Sequence, residues 1–167
     1  MINISIIVPI YKVEDYLPQC LESLDIVRRV AKTEVILVDD GSPDNCGMIC
    51  DDYAEIHKDT VVIHQKNAGL SAARNAGINV ATSNYIWFID SDDFINDNAV
   101  GVIKNIERYD ADIYFFGTKL CEEGGKVKGE IRRGLTTGQY SPLQVFQAFR
   151  FPFSGVPFSI KYVFVRA

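Results

Sequence analysis

Short apolar runs rich in β-branched residues recur along the chain, and segments with helical periodicity separate them. The first run, residues 4–10 (ISIIVPI), is apolar apart from Ser5. A run of this kind is typical of a strand that is covered on both faces, as in a parallel sheet. Four later runs fit the same description: EVILVDD, TVVIHQ, NYIWFID and DIYFFGT. The alternation predicts an α/β fold, with a mostly parallel, Rossmann-like sheet, right-handed crossovers and helices on both faces.

The helical segments carry apolar residues three and four positions apart. Cys46 and Cys50 fall on one such face with Ile49 and Tyr53, so we interpret them as packing residues rather than a redox or metal pair. A helix over residues 71–81 would turn Ala73, Gly77 and Val80 toward the sheet.

Length and charge limit the classes of protein that fit. With 167 residues, 47% of them hydrophobic, we expect a single globular domain. A net charge of -5 argues against nonspecific nucleic-acid binding. No apolar run approaches the roughly 18 residues that a membrane span needs, and the N-terminus lacks the pattern of a secretory signal. We therefore expect a reducing, cytoplasmic setting.

Acidic residues cluster where two of the predicted strands end. Asp39 and Asp40 close the second strand, and Asp90, Asp92 and Asp93 follow the fourth. An Asp-Gly turn, a helix cap or a solvated turn would explain either cluster alone. In a parallel sheet, however, both lie at the carboxyl edge, where ligands bind. Carboxylates this close repel one another unless a cation offsets them, and oxygen ligands suit Mg²⁺ or Mn²⁺.

Other candidate binding residues follow the first and third strands. Pro9 and Tyr11 come where an aromatic ring could stack on a base, although a buried core tyrosine is an equal alternative. Asn67 and Gly69 precede a helix whose free backbone N–H groups would favour an anion. Arg74, one turn into that helix, could reach a phosphate or be a solvated charge.

Taken in order, VPIYK, VDDGS, NAGLSAARNAGI and FIDSDD resemble the motifs of glycosyltransferase family 2, which has the GT-A fold. The resemblance covers about residues 4–116. It implies an inverting enzyme that transfers a sugar from a UDP-sugar donor to an acceptor, with Mn²⁺ or Mg²⁺ as cofactor. It also implies a role in the synthesis of surface polysaccharide or another glycan.

Carried over residue by residue, the resemblance assigns a donor nucleotide site. Tyr11 would hold the uracil ring, with Pro9 before it. Asp39 and Asp40 would contact the base and ribose, with Asp40 at the uracil edge. Arg74 would lie near the nucleotide.

The Asp-x-Asp motif of the family falls on Asp90 and Asp92. The resemblance implies that Asp90 contacts the donor, and that Asp92 and Asp93 face the divalent metal on the diphosphate. Neutralising that charge makes the nucleoside diphosphate a better leaving group.

The family's general base lies further along, in the acceptor-binding half. We expect residues 1–118 to form the donor-binding core and residues 119–167 the start of an incomplete acceptor-binding part. No convincing candidate for the base is found before Ala167, the last residue of the sequence. The catalytic base stays unknown, as does the acceptor.

The nearest acidic residues after the donor-binding core lie in a predicted hairpin around Gly124-Gly125. They are Glu122, Glu123 and Glu130. We interpret all three as solvated and assign none of them as the base.

Two other classes remain open. The chain could be a non-catalytic nucleotide-sugar-binding subunit that self-associates through its aromatic tail, which contains Phe151, Phe153, Phe158, Tyr162 and Phe164. It could also be a phosphoacceptor receiver domain, with Lys119 after a late strand. A lipid-linked acceptor would bring peripheral membrane contact. The sequence argues against a nicotinamide-dependent dehydrogenase, because no Gly-x-Gly-x-x-Gly follows the first strand.

Overall fold

The computed structural model describes residues 1–108, 113–115, 118–122, 126–131 and 163–166. The chain divides into two compact units. The first contains residues 1–115 and 161–167, and the second contains residues 116–160.

Eight strands are present among the described residues: β1 Asn3–Ile10, β2 Lys32–Asp39, β3 Thr60–His64, β4 Tyr85–Phe88, β5 Ile113–Phe115, β6 Thr118–Cys121, β7 Val127–Ile131 and β8 Val163–Arg166. Six of them form the sheet of the first unit, in the order β3-β2-β1-β4-β8-β5. The first four strands in this order are mutually parallel. Strand β8 is antiparallel to both β4 and β5, so β5 keeps the direction of β4. The predicted mostly parallel α/β sheet is confirmed.

Five helices connect or flank these strands in the described part of the chain: α1 Leu17–Ser23, α2 Asp25–Arg28, α3 Cys46–Ile56, α4 Leu70–Val80 and α5 Asn98–Arg108. Helices α1 and α3 pack against each other, and α3 also packs on β2 and β3. Helix α4 packs on β1 and β2, where Ala73 joins Ile7 and Ile36 in a buried cluster. The chain steps from β1 to β2 to β3 and then returns past β1 to β4. Right-handed crossovers therefore place α4 on the face opposite α1 and α3.

The helix interpretations from the sequence are confirmed in all but one detail. Cys46 and Cys50 are free thiols with no exposed surface, as expected for packing residues. Val80, in contrast, is 41% exposed, so its predicted inward position is wrong. The helix ends at Val80, and Ala81, the extended residue after it, packs against the sheet instead.

The second unit contains the predicted hairpin. Strands β6 and β7 pair antiparallel, with an irregularity between Leu120 and Cys121. Glu122 is exposed, and its carboxylate lies 3.5 Å from the Lys128 ammonium. The expected turn at Gly124-Gly125, Glu123 and the side chain of Glu130 lie outside the described residues.

The tail is described only at residues 163–166, where it forms β8 in the sheet of the first unit. The expected self-association surface of Phe151, Phe153, Phe158 and Tyr162 lies outside the described residues. Across the part of the chain that is described, no helix has the length and apolar character that crossing a bilayer requires.

The expectation that no general base is found before Ala167 stays a prediction. It concerns mainly residues 132–162 and Ala167 itself, which lie outside the described residues. In the described part of the hairpin, the exposed Glu122 agrees with its interpretation as a solvated side chain.

The contact between α4 and β1 depends on a glycine. A Cβ placed on Gly77 would collide with the Cγ2 atom of Ile7, a β-branched side chain with no exposed surface. Gly101, in α5, has no heavy atom within 4 Å of the same position. An added methyl group would therefore clash with β1 at position 77 but meet open space at position 101.

We expect Gly77→Ala to lower the free energy of unfolding by about 1–3 kcal/mol, because β1 cannot move away from the added methyl group. As the matched control, Gly101→Ala should raise it by up to about 1 kcal/mol through helix propensity. Urea denaturation of both variants measures the difference. Equal effects of the same sign would contradict the close packing.

Candidate nucleotide and metal site

The carboxyl ends of β1, β2 and β4 bring the two acidic clusters to one edge of the sheet. Ile10 at the end of β1 is in register with Asp39 at the end of β2, and Ile7 is in register with Phe88 on the other side. Adjacent strands lie about 4.8 Å apart, so β2 and β4, which flank β1, are about 10 Å apart. Asp40 and Asp90 both follow closely on these strand ends. This is also where the strand order reverses, the usual place for a ligand in such sheets.

Pro9 ends the pairing of β1 with β4. The last hydrogen bond between these strands runs from the N–H of Ile89 to the carbonyl of Ile7. The next bond of a parallel ladder would need an N–H at position 9, which proline lacks. On the other side, the N–H of Asp40 donates to the carbonyl of Ile10, so β1 and β2 stay paired. The sheet can therefore part between β1 and β4, beside the acidic residues.

Tyr11 lies at this edge and is 48% exposed, so the alternative of a buried core tyrosine is wrong. The next residue, Lys12, has a left-handed backbone with φ of 56°. Its N–H donates to Ser42 Oγ at 3.3 Å, and the N–H of Val13 donates to Cys46 Sγ at 3.4 Å. The loop that carries Tyr11 is thus attached to the loop after β2.

Asp40 is 3% exposed and binds the chain's own loop. Its Oδ1 accepts hydrogen bonds from Gln65 Nε2 at 2.6 Å and the N–H of Ala68 at 3.0 Å, and its Oδ2 accepts one from the N–H of Gly69 at 2.8 Å. Burial alone would raise the pKa of Asp40, but these three hydrogen bonds outweigh it and lower the pKa below its ordinary value. The Gly69 N–H, expected to be free for an anion, is therefore occupied by Asp40.

This arrangement changes the interpretation of Asp40 and the loop before α4. Both oxygens of Asp40 already have donors within the protein, so the carboxylate holds the loop of residues 65–69 in place through hydrogen bonds. Gly69 itself has φ of 88° and no heavy atom near its Cβ position, which leaves the backbone accessible. Asn67, the other candidate in this loop, is exposed.

Asp39 is held from two sides. Its Oδ1 accepts a hydrogen bond from the N–H of Ser42 at 2.9 Å, and its Oδ2 lies 3.1 Å from Nδ1 of His64. The other ring nitrogen of His64, Nε2, lies 3.0 Å from Asp51 Oδ1. Sequence reasoning missed His64 and Asp51. The pairing of β2 with β3, which puts Asp39 in register with His64, is the signal that could have found the histidine.

Arg74 and Asp90 form an ion pair that joins α4 to the loop after β4. Arg74 Nη2 donates to Asp90 Oδ1 at 2.6 Å, and the guanidinium lies 5.9 Å from the centre of the Phe88 ring. The two side chains are only 22% and 13% exposed. Arg74 Nε is buried and has no hydrogen-bond partner among the described residues. The alternative that Arg74 is a solvated surface charge is therefore wrong.

The carboxylates of Asp90, Asp92 and Asp93 converge, with one oxygen of each lying within 4.8 Å of the others. Asp92 is exposed, and Asp90 and Asp93 are half-buried. Three carboxylates and the Arg74 guanidinium leave a formal charge of minus two on this group. The set offers only oxygen ligands, the type that Mg²⁺ and Mn²⁺ prefer.

Two side chains of helix α1 form hydrogen bonds with the backbone of the acidic loop and the residues just after it. Cys20 Sγ donates to the carbonyl of Asp90 at 3.8 Å, and Ser23 Oγ accepts a hydrogen bond from the N–H of Ile95 at 3.0 Å. Burial, together with the charges of Asp93, Asp92 and Asp90, raises the pKa of the Cys20 thiol to about 12. The thiol therefore stays protonated and acts as a donor to the loop.

Two shallow depressions lie elsewhere, beyond the amino ends of the strands. One is lined by residues that include Tyr85 and Arg108, and the other by residues that include Lys32, Glu34 and Thr82. Neither includes a residue of the acidic clusters. The convergence of charged side chains, rather than the depth of a cavity, therefore marks the candidate site.

Comparison with known proteins now identifies the family. The profile described as Glycosyl transferase family 2 matches residues 5–164. The chain belongs to glycosyltransferase family 2. The resemblance seen in the sequence motifs is confirmed, and a receiver domain or a non-catalytic subunit is not favoured.

Several curated proteins are similar to this chain over part of their length. The glycosyltransferase GlyA of Streptococcus pneumoniae serotype 4 is 46% identical over 112 residues, which are 66% of this chain and 16% of that protein. The minor teichoic acid biosynthesis protein GgaA of Bacillus subtilis is 34% identical over 142 residues, which are 78% of this chain and 31% of that protein. The chain thus spans less than a third of the length of either relative.

Solved structures of S. aureus TarS share the fold. S. aureus TarS 1-349 matches with a TM-score of 0.59 and 29% identity, covering 66% of this chain and 34% of that one. TarS 1-349 in complex with UDP-GlcNAc matches with a TM-score of 0.58 and 29% identity, covering 66% of this chain and 33% of that one. The first unit therefore has the GT-A type of sheet, as predicted.

We expect Asp40→Asn to lower the free energy of unfolding by about 1–3 kcal/mol at about pH 7, because an amide nitrogen would face N–H donors. The folded pKa of Asp40 is lowered, so the wild-type carboxylate stabilises the fold above its unfolded pKa and loses this effect as the pH falls through its folded pKa. The difference between variant and wild type should therefore shrink toward about pH 3.

Urea denaturation at both pH values measures the effect, with Asp52→Asn, an exposed carboxylate on α3, as the control. A constant difference at the two pH values would show that Asp40 does not act through its charge.

Proposed function

We propose that this chain carries the donor-binding part of an inverting glycosyltransferase that uses a UDP-sugar and a divalent metal. The observation that carries the proposal is the convergence of Asp90, Asp92 and Asp93 at the edge of the sheet where Asp39 and Asp40 also lie. Further support comes from the TarS structures in complex with UDP and UDP-GlcNAc, at 27% and 29% identity.

The acidic residues fit a hard divalent cation. Octahedral Mg²⁺ holds oxygen ligands at about 2.1 Å, so its ligands lie up to about 4.2 Å apart. The carboxylate oxygens of Asp90, Asp92 and Asp93 lie within 4.8 Å of one another, which small rotations of the exposed Asp92 would reduce. As the sequence resemblance implies, Asp92 and Asp93 would hold the metal, and Asp90, which is paired with Arg74, would contact the donor. When bound, the metal would offset the negative charge of the diphosphate leaving group.

The remaining residues would bind and orient the nucleotide. Tyr11 offers an exposed ring beside the end of β1 for stacking on the base. Asp39, with its carboxylate oriented by Ser42 and His64, would accept a hydrogen bond from the base or ribose. Asp40 would hold the loop with Asn67 and Gly69 in position rather than contact uracil itself. The break in pairing at Pro9 would leave room between β1 and β4 for the ligand.

The described residues assign neither the acceptor nor the stereochemistry of the transfer. Direct displacement at the anomeric carbon needs a base to remove the proton of the acceptor hydroxyl, and Glu122, with its side chain exposed beside Lys128, is not assigned to that role. We propose an acceptor of the surface-polymer class. The relatives that support it are named for teichoic acid biosynthesis and for poly(ribitol-phosphate) glucosylation.

The metal assignment predicts that UDP binding depends on Mn²⁺. Asp92→Asn removes the charge of one of two metal ligands, so it should weaken Mn²⁺-dependent UDP binding by about tenfold or more, which corresponds to at least about 1.4 kcal/mol. Isothermal titration calorimetry of the 167-residue chain with UDP, with and without Mn²⁺, measures this.

Asp97→Asn is the matched control, because Asp97 is an exposed carboxylate in the same segment but outside the converging set. It should bind UDP and Mn²⁺ as the wild type does. Equal UDP affinity with and without Mn²⁺, or identical behaviour of the two variants, would refute the metal site.

A further inference from the structure

His64 connects two carboxylates on different elements. It is the last residue of β3, and β3 packs on β2 and α3. Its Nδ1 lies 3.1 Å from Asp39 Oδ2 at the end of β2, and its Nε2 lies 3.0 Å from Asp51 Oδ1 on α3. Asp39 is 9% exposed at its side chain, whereas His64 and Asp51 are 47% and 63% exposed. The histidine thus extends from solvent to a carboxylate at the candidate nucleotide site.

The geometry favours one protonation state of the ring. A neutral imidazole has one N–H and one lone pair, and an ionised carboxylate is an acceptor only. With carboxylate oxygens facing both nitrogens, a neutral ring would turn a lone pair toward one of them. Only the imidazolium donates to both, so the arrangement favours the charged form.

Gly47 on α3 makes room for this contact. A Cβ at that position would lie 3.2 Å from Asp39 Oδ2 and 3.5 Å from His64 Cε1. The first distance is shorter than most Cβ contacts, so a side chain here would press on the Asp39 carboxylate, whereas the second is an ordinary van der Waals contact. Glycine at position 47 therefore leaves room for the Asp39 carboxylate where it meets His64.

We propose that His64 is a positioning residue for the donor site, whose imidazolium, bridged between Asp39 and Asp51, orients the Asp39 carboxylate toward the nucleotide. The inference rests on the proposed function in one respect, that Asp39 contacts the donor. With the Ser42 N–H on Oδ1 and His64 on Oδ2, the carboxylate is fixed in one rotamer before the ligand arrives. Preorganisation of this kind improves affinity because less freedom is lost on binding.

The charge on His64 gives the site a dependence on pH. The carboxylates of Asp39 and Asp51 raise the pKa of His64 above its ordinary value, against a smaller opposing effect of burial. Among the described residues, they are the charged groups that face the ring from the packed elements β2 and α3. The positioning effect is therefore present at low pH and is lost as the pH rises through the raised pKa of His64.

The first experiment does not need a ligand. Nuclear magnetic resonance titration of the free protein follows the His64 ring and the backbone amides of Asp39 to Ser42. The amides should shift with the same midpoint as the ring, and Asp39→Asn should lower that midpoint. Amides that do not follow the His64 titration would overturn the proposal, whether or not the protein binds UDP.

The second experiment uses two substitutions, each of which keeps only one of the two contacts that the ring makes. An asparagine amide nitrogen lies close to the position of Nδ1, and a glutamine amide nitrogen lies close to that of Nε2. His64→Asn should therefore keep the contact with Asp39 without titrating, and His64→Gln should keep only the contact with Asp51. His57→Asn, at the end of α3, removes a histidine elsewhere and is the matched control.

UDP affinity is measured by calorimetry at about pH 6 and about pH 9, on either side of the range in which a histidine with a raised pKa titrates. Between the two pH values, the UDP affinity of the wild type should fall by about fivefold more than that of His64→Asn. This is the size expected for a partly exposed charged pair. His64→Gln should be about fivefold weaker than the wild type at the lower pH. The ionisation of UDP itself affects all variants alike.

The outcomes separate the two proposals. If UDP binds but His64→Gln and the wild type share one affinity and one pH profile, the role of His64 is refuted and the nucleotide site stands. If no variant binds UDP, the proposed function fails, and the amide titration alone decides whether His64 orients Asp39.

Discussion

The hydrogen bonds that place β1 between β2 and β4 determine which chain segments meet at the candidate site. All residues of β1 from Ile4 to Ile10 are buried, and the strand is parallel to both neighbours. Because the three strands point the same way, the residues that follow them emerge at one edge. Pro9 then ends the pairing on the β4 side alone, since its missing N–H faces that strand. One buried strand thus aligns the acidic clusters and also ends its pairing with β4 beside them.

Most of the acidic residues at this edge are bound within the protein. Asp40 holds the loop before α4, Asp39 is fixed by Ser42 and His64, and Asp90 is paired with Arg74. These contacts fix the side chains before any ligand arrives, and they leave Asp92 as the exposed member of the converging set. Helix α1 contributes through Cys20, whose donated hydrogen bond supports the loop that presents Asp92 and Asp93. The site is therefore prepared by residues that would not touch a metal.

The sequence was sufficient for the first five strands and the hairpin, for the shared edge of the acidic clusters and for the burial of Cys46 and Cys50, because hydrophobic periodicity and the alternation of strands with helices can be read locally. It was insufficient to predict which groups each carboxylate binds. The bonds of Asp40 to Ala68 and Gly69 cross 28 and 29 positions of the chain, and no local pattern announces them. The insertion of β8 between β4 and β5 is likewise a long-range pairing. Val80 was misplaced because the periodic pattern continues to the helix end, whereas the contact with the sheet passes to Ala81.

We propose that the segments after β2 and β4 serve one nucleotide-metal site, which paramagnetic broadening of backbone amides by substoichiometric Mn²⁺ in the presence of UDP would test. A shared site should give strong broadening at both residues 39–42 and residues 90–93. Amides of Lys32 and Thr82 should stay sharp, because they lie at the opposite edge, about 20 Å away along strands that rise about 3.3 Å per residue. Broadening at residues 90–93 with unaffected signals at residues 39–42 would show that the two segments do not share a site.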